Sequence, residues 1–246
     1  MSENLPDLST TPRLYVEVPL VLGAVVTLPV PQSHYLAQVM RRQVGDVVRL
    51  FDGANGEWAA RLVSVGRKAV VAELVAQSAP QEVVPDLWLC AAPLKRGRID
   101  WVAEKACELG VARFVPVLTR RTVVDKLNLD RLRAHMVEAA EQCGRTALPD
   151  VVEPIGLAAL LKVWPAGRTL VFADETGGAS LAVAFRGMAP PVGILIGPEG
   201  GFTPEERAMI RAVPGAVAVS LGPRILRADT AAAVAVGVWQ AIAGDG

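Results

Sequence analysis

The chain has little cysteine, no excess of charge of either sign and no long apolar run, and each shortage removes a class of protein. Its three cysteines, Cys90, Cys107 and Cys143, stand far apart in 246 residues. An odd count without C-x-x-C spacing is the wrong pattern for a disulfide framework or a zinc site and fits a reducing compartment. Lysine plus arginine and aspartate plus glutamate each total 25. With no global field, a polyanion could be held only by a local patch. Residues 1–80 carry seven charges of each sign, whereas 93–150 carry eleven basic against eight acidic, so the basic excess lies mid-chain. The uninterrupted apolar run at 231–239 is far short of the roughly 20 residues that span a bilayer. Residues 1–13 are polar, with Pro6 and Pro12, and lack the apolar segment of a secretory signal. The expectation is a soluble, cytoplasmic protein with no metal site.

Two phosphate fingerprints are also missing. The stretch Gly197-Pro198-Glu199-Gly200-Gly201 is neither G-x-G-x-x-G nor a Walker loop. Glu199 would repel a pyrophosphate there, so the expected ligand is nucleoside-like, without a polyphosphate.

What is present is organised around residues 194–230. Two apolar runs, at 192–196 and 217–221, each end in a Gly-Pro pair, which stops a strand and turns the chain. Thr203-Pro204-Glu205-Glu206 reads as a helix start with a capping box and proline at the first helical position. In parallel α/β sheets ligands bind beyond the carboxyl ends of strands, and glycines there let a backbone approach a ligand. Shaping of turns is the plainer alternative.

Upstream, residues 14–75 alternate short apolar runs with turn chemistry, as at Asp52-Gly53-Ala54-Asn55-Gly56 and Gly66-Arg67-Lys68. This predicts a small antiparallel sheet or barrel. One helix is expected at 33–42, with Leu36, Val39 and Met40 on one face. Residues 76–86 read as a linker. From 87 onward, apolar runs at 87–92, 114–118, 169–173, 192–196 and 217–221 alternate with helical spacing at 100–109, 130–144 and 204–212. That grammar predicts a parallel α/β sheet. In the second helix Leu132, Met136, Ala139 and Cys143 form the apolar stripe. Residues 230–243 are apolar nearly all round, so a helix there must be covered on several sides.

Gly197-Pro198-Glu199-Gly200-Gly201-Phe202, followed by Leu221-Gly222-Pro223-Arg224-Ile225-Leu226-Arg227, resembles the paired signature of the RsmE-type ribosomal RNA uridine-N3 methyltransferases of the SPOUT class. The resemblance extends through Glu104-Lys105-Ala106-Cys107-Glu108-Leu109-Gly110-Val111 and residues 138–145 to His34 and Val39-Met40-Arg41, nearly the whole chain. It departs at Asp229-Thr230-Ala231, where the family usually has Glu-Thr-Ala. The resemblance implies a PUA-like β-barrel at 1–78 that grips RNA and a SPOUT α/β domain with a trefoil knot at 79–246. It also implies S-adenosylmethionine as cofactor, 16S ribosomal RNA or the small subunit as partner, and a homodimer packed through the last helix.

Site expectations follow the motif. Gly197, Gly200, Leu221, Gly222, Ile225 and Leu226 are the candidates for holding the cofactor. Arg224, Arg227 and Arg121 are the candidates for stabilising charge on a uridine that loses its N3 proton; phosphate anchoring or an ion pair with Glu199 or Asp229 is the alternative. Arginine donates and does not act as a general base, so the base is open among Glu199, Asp229 and solvent. Arg41, Arg42, Lys95, Arg96 and Arg98 are the candidate RNA contacts, with a solvated loop as the alternative for the last three. Asp174 and Glu175 follow a strand and either meet a ribose or sulfonium or only turn the chain. A noncatalytic RNA-binding assembly factor, or the same fold acting on another RNA or a ribose 2′-hydroxyl, is the competing function.

Overall fold

The computed structural model describes residues 8, 10–124 and 126–245, so most of the polar segment read at 1–13 lies outside the described residues. The chain forms two compact units, Met1–Val83 with Ala140–Ala147, and Val84–Ala139 with Leu148–Gly246.

In the first unit, β1 (Arg13–Tyr15), β2 (Val25–Thr27), β3 (Val47–Phe51), β4 (Glu57–Val65) and β5 (Val70–Ala79) form one sheet in the order β1-β3-β4-β5-β2. All pairings are antiparallel except β1 with β3, where Leu14 lies opposite Leu50. Alternation puts Val48, Leu50, Ala60, Leu62, Ala72 and Leu74 into one apolar core, as a half-buried sheet requires. The β3–β4 turn is set by the Asp52 carboxylate, which accepts the amides of Ala54 at 3.0 Å and Asn55 at 2.8 Å, an Asx turn.

The helix expected at 33–42 forms differently. α1 (Val30–His34) starts earlier, with proline in its first turn, and passes into a π-helical turn at Tyr35–Val39. The wider turn breaks the expected stripe: Leu36 is fully buried, while Val39 is 61% exposed. Buried Ser33 ties α1 to the sheet by donating to Leu28 O at 3.0 Å and accepting from Val70 N at 2.9 Å.

The linker expected at 76–86 begins as strand, because β5 runs to Ala79. Beyond it, Gln81 accepts the Gly56 amide at 2.9 Å and Glu82 pairs with Arg145 Nε at 2.7 Å. Residues 140–147 belong to this unit through Arg13. Its buried guanidinium pairs with Glu57, donates to the carbonyls of Ala140 and Arg145, and lies 3.9 Å over the Phe51 ring. Ser78 Oγ donates to the other Glu57 oxygen at 2.9 Å. Such a buried pair persists because its remaining donors and acceptors are satisfied.

The second unit comprises β6 (Leu87–Ala91), α2 (Arg98–Glu108), β7 (Arg113–Leu118), α3 (Leu129–Cys143, whose last residues count with the first unit), β8 (Asp150–Val151) and β9 (Ile155–Gly156). After these come α4 (Leu157–Lys162), β10 (Thr169–Ala173), β11 (Ala179–Ser180), α5 (Leu181–Ala184), β12 (Val192–Ile196), α6 (Pro204–Arg211), β13 (Val217–Ser220) and α7 (Ala228–Ala243). The sheet order is β11-β13-β10-β12-β6-β7-β8, with β9 beside β7, and every pairing is parallel. All five expected runs are strands and all four long helices are present. Parallel β10, β12 and β6, with Val171 opposite Ile194 and Ile194 opposite Leu89, bring their carboxyl ends to one edge.

In α3, Leu132, Met136 and Ala139 are buried as expected, but Cys143, at the helix end, is exposed. Cys90 and Cys107 are buried. α7 packs on α2, α5 and β12, burying Ala231, Ala232, Ala235, Val236 and Trp239. Gln240 donates from Nε2 to Leu109 O at 2.8 Å, closing the end of α2. No helix among the described residues is long and apolar enough to cross a membrane.

Candidate functional site

Three adjacent strand ends build a cavity. Asp174 and Glu175 follow β10. Gly197, Pro198, Glu199, Gly201 and Phe202 follow β12. Leu221, Gly222, Pro223, Arg224, Ile225 and Leu226 follow β13, and Arg207 of α6, with Ala228 and Ala231 of α7, joins the lining. Because β13, β10 and β12 are neighbours in register, these segments must converge.

The loop at 197–201 is fixed along its length. The Phe202 ring lies 3.1 Å from where a Gly197 Cβ would stand, so that glycine makes room for a core phenylalanine. The Gly201 amide donates to Pro198 O at 2.8 Å. Thr203 and Glu206 form the expected capping box, at 2.9 and 3.3 Å. Buried Glu206 also accepts the Arg120 amide at 2.8 Å, joining the turn after β7 to the start of α6. Gly200, expected at the cofactor, faces elsewhere: its carbonyl accepts from Arg121, and a Cβ there would meet Arg121 Cδ at 3.2 Å. Its neighbour Gly201 lines the cavity, at φ +67° and with Glu175 Oε1 2.9 Å from where its Cβ would be.

The loop at 221–226 is open. Gly222 has φ +106° with no atom within 4 Å of its Cβ direction, so left-handed backbone and not crowding selects glycine there. Ile225 is 90% exposed. Gly197, Leu221, Gly222, Ile225 and Leu226 all line the cavity, as does Arg224. Arg227 is at the N-cap of α7, outside the lining, and Arg121 reaches the site only through Gly200.

The third wall was half legible. Asp174 is buried and accepts from Thr176 N at 2.9 Å, Thr176 Oγ1 at 2.7 Å and Arg211 at 2.6 Å, with Arg207 Nε 3.4 Å away. Burial alone would raise its carboxyl, but donation from Arg211 and from the Thr176 amide and hydroxyl outweighs it and holds the carboxyl below the ordinary aspartate value. Arg207 also pairs with Glu175. Sequence reasoning missed both arginines; the available signal was their i,i+4 spacing on α6, which puts them on one face.

Among the expected RNA contacts, Arg41 is exposed, with φ 52°, Arg42 is half-buried, and Lys95 and Arg96 are exposed. Arg98 is otherwise engaged: it pairs with Glu199, and its Nε is 3.8 Å from Asp229 Oδ2. Glu199 is thus partly neutralised, and the acids named as alternative ion-pair partners of Arg224 and Arg227 are met by Arg98. His34 is exposed. Among the described residues, no group of three or more His, Cys, Asp or Glu side chains could hold a metal ion.

The cavity offers aliphatic cover from Leu221, Ile225 and Leu226, glycine-lined backbone, and carboxylates at Asp174, Glu175 and Glu199 that are each paired with an arginine. Aliphatic cover beside exposed backbone suits a nucleoside-like ligand, and the residues present fit S-adenosylmethionine.

Fold and site define an RNA methyltransferase: residues 81–240 match the RNA methyltransferase domain family and residues 28–75 the RNA methyltransferase PUA domain. The chain belongs to the ribosomal RNA small subunit methyltransferase E family. A Synechocystis protein of that name is 33% identical over 94% of this chain and 77% of its own length. The Neisseria gonorrhoeae ribosomal RNA small subunit methyltransferase E, crystallised bound to S-adenosyl methionine, is 28% identical with a TM-score of 0.86, covering 96% of this chain and 99% of that one. A Legionella pneumophila protein solved in complex with the bound cofactor SAM is 30% identical with a TM-score of 0.83, covering 94% of this chain and 97% of that one.

Proposed function

We propose that this protein is an S-adenosylmethionine-dependent methyltransferase that modifies N3 of a uridine in 16S ribosomal RNA. The observation that carries the reading is the cavity at the ends of β10, β12 and β13, edged by two glycine loops in a chain that aligns end to end with cofactor-bound relatives. When bound, the cofactor supplies an electrophilic methyl group on a sulfonium.

The chain's own residues do the rest. Leu221, Ile225 and Leu226 cover the adenine, while Gly201 and Gly222 let the backbone approach. Glu175, paired with Arg207, and Glu199, paired with Arg98, stand on the rim. Arg224 donates to the uridine carbonyl oxygens as N3 loses its proton, and Arg227, just outside the cavity, anchors the adjoining phosphate or assists. Arg121 braces the Gly200 carbonyl. Holding acceptor and donor in line supplies much of the acceleration in such a transfer. In this reading residues 1–78 grip RNA, 79–246 carry the methyl transfer, and Arg41, Arg42, Lys95 and Arg96 contact phosphates. The exposed Val234 and Ile242 of α7 are the apolar positions through which a homodimer would pack.

Calorimetric titration with S-adenosylmethionine tests the cofactor site. The parent should saturate, and Gly201→Val should lose about a hundredfold or more in affinity, because Cβ enters the Glu175 position in a backbone conformation valine avoids. Nucleoside mass mapping of 16S RNA from a deletion strain tests the target. Unchanged N3-methyluridine there would remove the uridine assignment.

A further inference from the structure

We infer that Arg98 is a positioning residue for the cofactor, bridging Glu199 of the first glycine loop and Asp229 at the start of α7 so that the loop keeps its place beside that helix. The inference rests on the reading that S-adenosylmethionine binds there.

The clasp is built from a rigid base. Arg98 is the first residue of α2, and its amide donates to Lys95 O at 3.1 Å. The turn before it is closed by the Gly97 amide donating to Asp100 Oδ2 at 3.1 Å, and Arg131 holds Asp100 at 2.9 Å. From this base the guanidinium donates a hydrogen bond to Glu199 through Nη1 and makes a longer ion pair, 3.8 Å, from Nε to Asp229. Asp229 is itself set by the Thr230 amide, at 2.8 Å. A planar fork with donors on two edges can serve two carboxylates at once. Without it, the loop at 197–201 would lose a tie to α7.

Two features separate this role from plain stabilisation. The three side chains are 34%, 46% and 17% exposed, and ion pairs that wet contribute little to folding. The signs of the charges also help. Deleting Arg98 makes the rim more negative, and charge alone would then tighten binding of a sulfonium. Weaker binding therefore reports geometry. S-adenosylhomocysteine, which lacks the sulfonium, isolates the same effect without the charge.

The experiment titrates the parent, Arg98→Met and Arg98→Lys with S-adenosylmethionine and with S-adenosylhomocysteine, alongside thermal unfolding of each free protein. Arg98→Met should weaken both ligands about tenfold, because a loop no longer held must be ordered on binding, while the melting temperature moves by no more than about 2 °C. Arg98→Lys, a charge without the fork, should recover part of the affinity. Parental affinity of Arg98→Met for both ligands overturns the inference, and so does tighter S-adenosylmethionine binding with S-adenosylhomocysteine unchanged. If Arg98→Met unfolds, Glu199→Gln removes the clasp from its other side, and parental affinity of that variant for S-adenosylhomocysteine overturns the inference equally. A parent that binds neither ligand defeats the cofactor reading itself and the clasp with it, and the parental titration identifies that case.

Discussion

The two glycine loops read alike in sequence, each a Gly-Pro pair closing an apolar strand, yet they are held in opposite ways. The loop at 197–201 is anchored at Gly197 by Phe202, at Glu199 by Arg98, at Gly200 by Arg121, and at its exit by the Thr203–Glu206 box. The loop at 221–226 has a left-handed glycine in open space and an isoleucine that is almost wholly exposed. One wall of the cavity is part of the core, and the other waits for something to cover it. Truncating the core anchor of the first should register in stability, whereas truncating the exposed side chain of the second should register in ligand affinity alone.

Phe202→Ala should break the anchored wall with the largest effect. Phe202 is 3% exposed within the core beside Leu195 and Ile210, and truncating such a ring costs about 3–5 kcal/mol, measurable by urea unfolding. Asp174→Asn should come next, at about 1.5 kcal/mol near neutrality, since it replaces charge-assisted bonds from Arg211 and Thr176. Here the pH dependence sharpens the test. A carboxyl held below its ordinary value stabilises the fold above the unfolded aspartate value of about 3.9, and that contribution disappears as pH falls through the depressed folded value. Parent and variant stabilities should therefore converge in acid. A gap that persists undiminished at pH 2 would assign the effect to packing. Ile225→Ala should leave stability within about 0.5 kcal/mol while weakening S-adenosylmethionine about fivefold through lost apolar cover. A shift in unfolding midpoint as large as that of Phe202→Ala would erase the distinction between the loops.

Much of this arrangement was legible beforehand because its signals are local. The continuous runs at 87–92, 114–118, 169–173, 192–196 and 217–221 became β6, β7, β10, β12 and β13, and Thr203-Pro204-Glu205-Glu206 formed its capping box. β8, β9 and β11 were missed because two residues carry no period, and α4 and α5 because they are scarcely longer than a turn. Val39 was misplaced because a π turn shifts every later side chain off the 3.6-residue stripe. In the site, Gly201 lines the cavity and Gly200 does not, and a Gly-Gly pair does not say which member will. Arg98 meeting Glu199 spans 101 positions, and Arg211 meeting Asp174 spans 37; such partners are set by strand order. Their charges were visible, but their pairing was not.

The thiols described with the fold carry a practical consequence. Burial in β6 pushes the Cys90 thiol up to about 12, so it stays protonated near neutrality, and the thiolate is the reactive form. Cys107 is buried as well, whereas Cys143 is open to solvent. An alkylating dye added to the folded protein is therefore steered to Cys143, in the segment that packs with the first unit. Wild-type protein thus carries its own attachment point for a fluorescent reporter, outside the cavity lining.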